Sequence, residues 1–264
     1  MQPLFFGESH RQLFGVYHPA SNERATGGHA VLLCYPGIQE YNMSHWAYRK
    51  LGTLLAGQGF PALRFDYFAT GDSMGEASEG DPDEWVRNIS TAAAKLKELS
   101  GASTISVVGL RLGATLAAKA CSEGLAVRNL VVWDPVVHGH DYLHELRALD
   151  AEQRILRLLP RPAQSPSVPE LLGMPFPRML ERAIERLDML AFRMSHAESV
   201  AIVVSEDRPA YRELSRALSS SGKKVAFTVA VDAFSGATAA TGVEELLWST
   251  PLVAVTESLG GAKS

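Results

Sequence analysis

Cysteine is scarce in this chain: its 264 residues include two, Cys34 and Cys121. Each lies inside an apolar segment, so no disulfide framework is spelled out and a reducing compartment is expected. No apolar run approaches the roughly 20 residues needed to span a bilayer. The start, Met1-Gln-Pro-Leu-Phe-Phe-Gly-Glu8, lacks a basic region followed by a long apolar core. A cytoplasmic protein without a membrane span is therefore expected. Basic residues do not outnumber acidic ones: 25 Lys and Arg face 29 Asp and Glu, for a net charge of -4. That balance offers no general attraction to nucleic acid, which is not expected as a partner. No metal-ligand cluster is spelled out, and neither metal nor cofactor is expected. Histidine is unevenly placed, since none of the eight follows His196.

What is present is a core. With 46% hydrophobic and 20% charged residues, the chain can bury one large apolar interior. Leu13–His18 alternates as an early strand. Ala30–Tyr35 is a continuous apolar run of strand length, as expected for a strand buried on both faces of a parallel sheet. Ser44 is a plausible N-cap for a helix over 45–55. Pro61–Tyr67 reads as the next strand. Asp81-Pro-Asp-Glu84 is a strong helix start, with a capping side chain, proline at the first helical position and acids at the positive end of the dipole. Further strands are expected at Leu130–Asp134, Val200–Ser205 and Val225–Val231, with a helix over Arg208–Ser219. Strands alternating with helices predict right-handed βαβ units and a mostly parallel central sheet flanked by helices. The alternation stops between His138 and Ser199. There Asp141–Leu159 and Arg178–Met194 read as helices around a proline-rich stretch from Pro160 to Pro177. The expected division is a core over 1–137 and 200–264 with a helical cap over 138–199.

The most specific stretch is Ile105-Ser-Val-Val-Gly-Leu-Arg-Leu-Gly-Ala-Thr-Leu-Ala-Ala118. A β-branched run ends at Gly109, a tight turn passes through Arg111 to Gly113, and an Ala/Leu-rich helix begins. The pattern matches a Gly-x-Ser-x-Gly nucleophile elbow in everything except the nucleophile. Arginine offers five donors and no acceptor, so at ordinary pH it is neither nucleophile nor general base.

From Tyr35-Pro-Gly37 through Ser44-His-Trp-Ala-Tyr48, Leu63-Arg-Phe-Asp-Tyr67 and Gly71-Asp-Ser-Met-Gly75 to Gly109-Leu-Arg-Leu-Gly113, the chain resembles α/β hydrolases of the serine aminopeptidase-like group. Within that group it is similar to the branch with a Gly-Leu-Arg-Leu-Gly elbow, which includes proteins associated with exosortase systems and relatives in polyketide or glycolipid pathways. The resemblance covers roughly residues 10 to 260 and implies an α/β-hydrolase fold with a helical cap insertion. A working triad in that fold runs Ser, then Asp or Glu, then His. Asp207 occupies the expected acid position. Arg111 replaces the serine, and the loop after Val231, through Ser235, offers no histidine. Ordinary Ser-His-Asp hydrolysis is not expected.

Arg111 at a helix start could hold a carboxylate, a phosphate or a developing enolate, or could act as a strut paired with Asp207 or a cap carboxylate. The loop Tyr35-Pro-Gly-Ile-Gln39 occupies the oxyanion-loop position, with amides near Ile38 and at Leu112 as candidate donors. His45 beside that loop is a candidate neutral base, and His138 and His140 should border the pocket. Ser73 and Ser235 are displaced-nucleophile candidates that read better as turn residues, and Asp66 and Asp72 read as turn partners. Three functions stay open. One is a triad-degenerate enzyme of specialised metabolism that binds an acyl or carboxylate-bearing small molecule, free or carrier-bound, and assists elimination, decarboxylation or cyclisation. Another is a non-catalytic pseudoenzyme that binds a ligand, a carrier or a partner protein, with a homodimer as a further candidate. The last is an ester or thioester hydrolase with a displaced nucleophile.

Overall fold

Eight strands and the helices between them place the elbow at the sheet centre. The computed structural model describes residues 1–21, 28–38, 40–156, 169–231 and 249–259. In chain order the first strands and helices are β1 (Gln2–Phe6), β2 (Leu13–His18), β3 (His29–Cys34), α1 (Glu40–Gly57), β4 (Ala62–Phe65) and α2 (Pro82–Ser100). Next come β5 (Thr104–Leu110), α3 (Leu112–Ser122), β6 (Val127–Trp133) and α4 (Gly139–Leu156). A two-strand hairpin, β7 (Glu170–Leu171) and β8 (Met174–Pro175), precedes α5 (Arg178–Glu185). The chain then continues through β9 (Ala197–Val204), α6 (Pro209–Ser220), β10 (Lys224–Val229) and α7 (Ser249–Ser258).

The large sheet has the order β1-β2-β4-β3-β5-β6-β9-β10. The β1–β2 and β2–β4 pairings are antiparallel, and every pairing from β4 to β10 is parallel. Ala30 through Cys34 of β3 are fully buried, as a central parallel strand with both faces covered requires. Helices α1 and α7 touch each other over the sheet, while α2 and α3 form a second packed pair. This is the α/β-hydrolase fold. Between β6 and β9 the insertion contributes α4, the β7–β8 hairpin and α5, with α4 packed on α5.

Several local expectations change. Helix α1 begins at Glu40, so Ser44 lies inside it, where its hydroxyl donates to the Tyr41 carbonyl at 3.0 Å instead of capping. Pro36 and Gly37 already break the chain, and Ile38 at φ 51° turns it, so the helix starts as soon as the turn ends. The Arg178 helix stops at Glu185 and a separate short helical turn follows over Met189–Ala191, with Asp188 accepting from the Leu190 amide. Strand β9 starts at Ala197, three residues earlier than expected, because its N-terminal end pairs with Val127. Ser73 and Asp66 are turn residues: Ser73 donates to the Asp66 carbonyl and accepts from the Phe14 amide, while the Asp66 carboxylate accepts from the Asp72 amide and the Tyr41 hydroxyl. Both cysteines are buried, and burial pushes the Cys121 thiol up to about 12, which makes it inert packing at neutral pH.

A polar cluster is embedded away from the elbow. Arg64 of β4 is buried; its Nε donates to His18 Nε2 at 3.3 Å and its Nη1 to the Tyr35 hydroxyl at 3.0 Å. Accepting from Arg64 requires an unprotonated Nε2, so His18 is held neutral. Gly52 makes the arrangement possible, because a Cβ there would stand 2.9 Å from the His18 ring. Burial, then Arg64, lowers the His18 pKa to about 4.

As pH falls the unfolded chain, with a histidine pKa near 6.5, takes up this proton first. The stabilisation is therefore complete above about pH 6.5 and is lost toward pH 4, by up to about 3 kcal/mol. We expect the urea midpoint to fall across this window in the wild type and to fall less in His18→Gln. Parallel pH profiles for the two proteins would remove His18 as the cause.

Candidate functional site: the elbow cleft

Arg111 occupies the apex of the elbow with φ 51° and ψ -122°, a backbone that side-chain-bearing residues seldom adopt. Steric room for this turn comes from the flanking glycines. A Cβ on Gly109 would meet the Ala114 Cα at 2.5 Å, and one on Gly113 would collide with the Tyr35 and Cys34 carbonyls at the end of β3. The turn is also tied to the end of β6 and the loop after it: the Arg111 amide donates to the Trp133 carbonyl at 2.9 Å, and the Thr115 hydroxyl donates to the Val136 carbonyl at 2.7 Å.

The guanidinium is already engaged. Its Nε donates to Glu40 Oε1 at 2.9 Å and its Nη2 to Glu145 Oε2 at 2.8 Å, while Nη1 lies 3.5 Å from the Asp134 carbonyl oxygen. The Tyr142 ring stands 5.4 Å from the guanidinium carbon, and the Tyr142 hydroxyl donates to Glu40 Oε2 at 2.8 Å. Tyr142 and Glu145 are three residues apart on α4, which puts both on the helix face toward the elbow. Gly139, at the start of α4, lets that helix approach closely, since a Cβ would strike the Ile184 carbonyl of α5. Burial alone would lower the Arg111 pKa; Glu40, Tyr142 and Glu145 more than offset it, so the group stays cationic throughout the accessible range.

Above Arg111 opens a cleft of about 680 Å³. Its walls include Pro135, Val136, His138, Asp141, Tyr142 and Glu145 on one side, and Glu206, Arg208 and Tyr211 on the other. Glu145 reaches across it: Oε1 lies 2.8 Å from Nη1 of Arg208, whose Nε lies 3.1 Å from Glu206 Oε2. Burial pushes the Tyr211 hydroxyl up to about 12, so it is a neutral donor. Asp134 is raised by burial, against the pull of the Ser205 amide that donates to its Oδ1 at 2.8 Å. A smaller apolar cavity of about 310 Å³ lies under the β7–β8 hairpin, lined by Ile38, Tyr41, Trp85, Phe176 and Leu180.

The sequence candidates are distributed unevenly over this geometry. Arg111 and His138 line the cleft; His138 Nδ1 is 3.4 Å from Asp188 Oδ1. His140 is exposed beside Asp141. Asp207 is exposed and bidentate with Arg212, at 2.8 and 2.7 Å, and this pairing lowers its pKa. His45 lies in the second turn of α1, stacked on Tyr35 with ring centroids 6.2 Å apart. Its pKa is lowered by burial first and by Arg64 and Arg49 after that. Tyr35 and Leu112 have buried side chains, and Ile38 faces the apolar cavity. Gln39, Ser235 and the loop after Val231 lie outside the described residues. Among the described residues no group of three or more His, Cys, Asp or Glu side chains could hold a metal ion, and no helix is long and apolar enough to cross a membrane.

Glu40, Tyr142, Glu145, Arg208 and Tyr211 were not singled out from sequence. One available signal was the spacing of Tyr142 and Glu145 behind the glycine of Val137-His-Gly-His140. Nothing local marked Glu40 or Arg208.

No protein-family model matches the chain, and no curated protein sequence matches it. Solved structures do. DcsB, in complex with its substrate analogue, superposes with a TM-score of 0.67 at 15% identity over 98% of both chains. The Pyrococcus furiosus esterase Pf2001 gives 0.64 at 15% identity, covering 98% of this chain and 89% of that one. Est1E from Butyrivibrio proteoclasticus, with ferulic acid bound, gives 0.64 at 17% identity, covering 97% of this chain and 99% of that one. At such identities the likeness is one of fold.

Three outcomes follow from the elbow's sterics and charges. Gly113→Ala, forced against backbone carbonyls that have no room to yield, should cost about 2 kcal/mol or more in urea unfolding; a loss below about 0.5 kcal/mol would show that the elbow can relax. Arg111→Ala, which strips Glu40 and Glu145 of their shared partner, should cost about 2 kcal/mol. Arg111→Gly should be at least as stable as Arg111→Ala, because relief of roughly 1–2 kcal/mol of left-handed strain exceeds the entropy glycine adds to the unfolded chain. The same denaturation series decides all three.

Proposed function

We propose that this chain is an α/β-hydrolase-fold protein that binds a small molecule in the elbow cleft and does not perform serine hydrolysis. The observation that carries the reading is the state of Arg111. It stands where a nucleophile would stand, and two carboxylates from different elements, Glu40 and Glu145, hold it as a strut joining the core to the insertion. Strut and cleft coexist: the ion pairs form one wall, and the space above them has the volume typical of small-ligand sites.

The chemistry of the remaining groups supports the same reading. A triad needs an acceptor at the nucleophile position, a base within hydrogen-bond reach and an acid behind that base. Arg111 offers donors alone, and Asp207 is occupied by Arg212. His138, the histidine bordering the cleft, faces Asp188.

A second reading, a non-hydrolytic enzyme assisting elimination, decarboxylation or cyclisation, is favoured by one feature. Tyr142 borders the cleft and its hydroxyl donates to Glu40 beside the guanidinium, placing a proton donor next to a fixed positive charge. In that reading proton transfer falls to Tyr142 and not to His45. Turnover of a carboxylate substrate that survives in His45→Gln and disappears in Tyr142→Phe would support it over simple binding.

The primary reading is tested by incubating the folded protein with a fluorophosphonate probe and with short-chain p-nitrophenyl esters, followed by intact-mass measurement. We expect no covalent adduct and no hydrolysis above the solvent rate. Stoichiometric labelling of one serine would overturn the proposal in favour of a displaced-nucleophile hydrolase.

A further inference from the structure

We infer that Glu145 is an internal stand-in for a ligand carboxylate, and that a small monocarboxylate binds by replacing it between Arg111 and Arg208. The inference rests on the reading of the cleft as a ligand site and names the ligand class for it.

The geometry is that of carboxylate recognition. The two oxygens of Glu145 are divided between two guanidiniums, each at 2.8 Å, from the elbow on one side and from the residue preceding α6 on the other. Planar guanidiniums converging on one carboxylate form a strong and directional charge-assisted site. The occupant already present shows that the spacing fits.

Glu145 is also the carboxylate most easily given up. Its side chain is 45% exposed, against 27% for Glu40, and Glu40 keeps a second hold through the Tyr142 hydroxyl. A carboxylate this exposed is readily hydrated, so water compensates much of what Glu145 loses on release. After the exchange Arg111 keeps Glu40, Arg208 keeps Glu206, and the two guanidiniums have exchanged one carboxylate partner for another. Pro135, Val136 and Tyr211 supply the surface on which the body of the ligand would lie.

The other charged walls restrict the choice further. Asp141 and Glu206 border the same cleft, and Glu145 remains nearby after displacement. A second negative charge on the ligand would meet these carboxylates, so the site selects monocarboxylates over dicarboxylates and phosphates.

An internal occupant reduces the apparent affinity of a ligand by the fraction of time it fills the site. If Glu145 occupies the fork nine-tenths of the time, removing it raises affinity about tenfold. The experiment is calorimetric titration of wild type, Glu145→Gln, Glu145→Ala and Arg208→Gln with octanoate and 3-phenylpropionate, and with octanamide and 3-phenylpropanamide as neutral counterparts. We expect the acids to bind both Glu145 variants about tenfold tighter than wild type, the amides to be unaffected, and Arg208→Gln to lose its preference for acids. Thermal melts of each variant establish that it is folded. Equal or weaker binding of the acids to the Glu145 variants would overturn the displacement model. Amides binding as well as acids would remove the carboxylate anchor while leaving the cleft a ligand site. Absence of any binding to wild type and to both Glu145 variants would overturn the inference and the ligand-binding reading together.

Discussion

The close approach of the α3 start to the end of β3 is the constraint on which the rest of this site depends. Gly113 sits against the backbone carbonyls of Cys34 and Tyr35, and Gly109 sits under Ala114, so no side chain separates strand from helix. With the turn held that tightly, the apex residue is forced to positive φ and its side chain is directed over the C-terminal edge of the sheet. In an α/β sheet this edge is where ligands bind, because loops from several strands converge there. The backbone thus specifies a location, and the apex side chain decides what can happen at it.

Arginine at that apex gathers charged partners around the turn. Glu40 at the start of α1, Glu145 in the insertion and the carbonyl of Asp134 after β6 all converge on its guanidinium, and Arg208 before α6 shares Glu145. Five separate parts of the chain are thereby tied through one network of ion pairs and a backbone hydrogen bond. The pairs are not equivalent. Glu40 is supported by the Tyr142 hydroxyl and is the more enclosed, whereas Glu145 stands near solvent across the open cleft. The strut therefore has one enclosed end and one end near solvent.

The molecule keeps a second buried cation apart from this cleft. Arg64 sits in the interior with His18 and the Tyr35 hydroxyl as hydrogen-bond partners, and His18 must remain neutral to accept. The two arginines illustrate opposite solutions to burial. Arg111 is balanced by carboxylates at the protein surface, while Arg64 is solvated by neutral groups inside it, which couples its environment to pH through a histidine.

Much of the architecture was legible in the linear chain because it follows from short-range chemistry. An apolar run as short as Ala30–Cys34, closed by Pro36 and Gly37, has the length of a doubly covered strand. Asp81 followed by Pro82 starts a helix by capping, as the bond from the Asp83 amide to Asp81 shows. The Gly109–Gly113 spacing specifies the elbow, and Arg111 between the glycines leaves no serine at its apex. Boundaries were less legible where competing signals overlap: Ser44 has the chemistry of a cap, but the turn at Pro36–Ile38 had already allowed α1 to begin at Glu40. What the tertiary structure alone decided was the partnership of charges. Glu40, Glu145 and Arg208 are separated from one another by 63 residues or more, and no local pattern distinguishes them from other solvated side chains. Asp207, in the expected acid position, pairs with the neighbouring Arg212 five residues on, while the distant Glu40 and Glu145 take Arg111. Ion pairs depend on distances between side chains, and distances across this cleft exist only after the sheet, the elbow and α4 have been packed together.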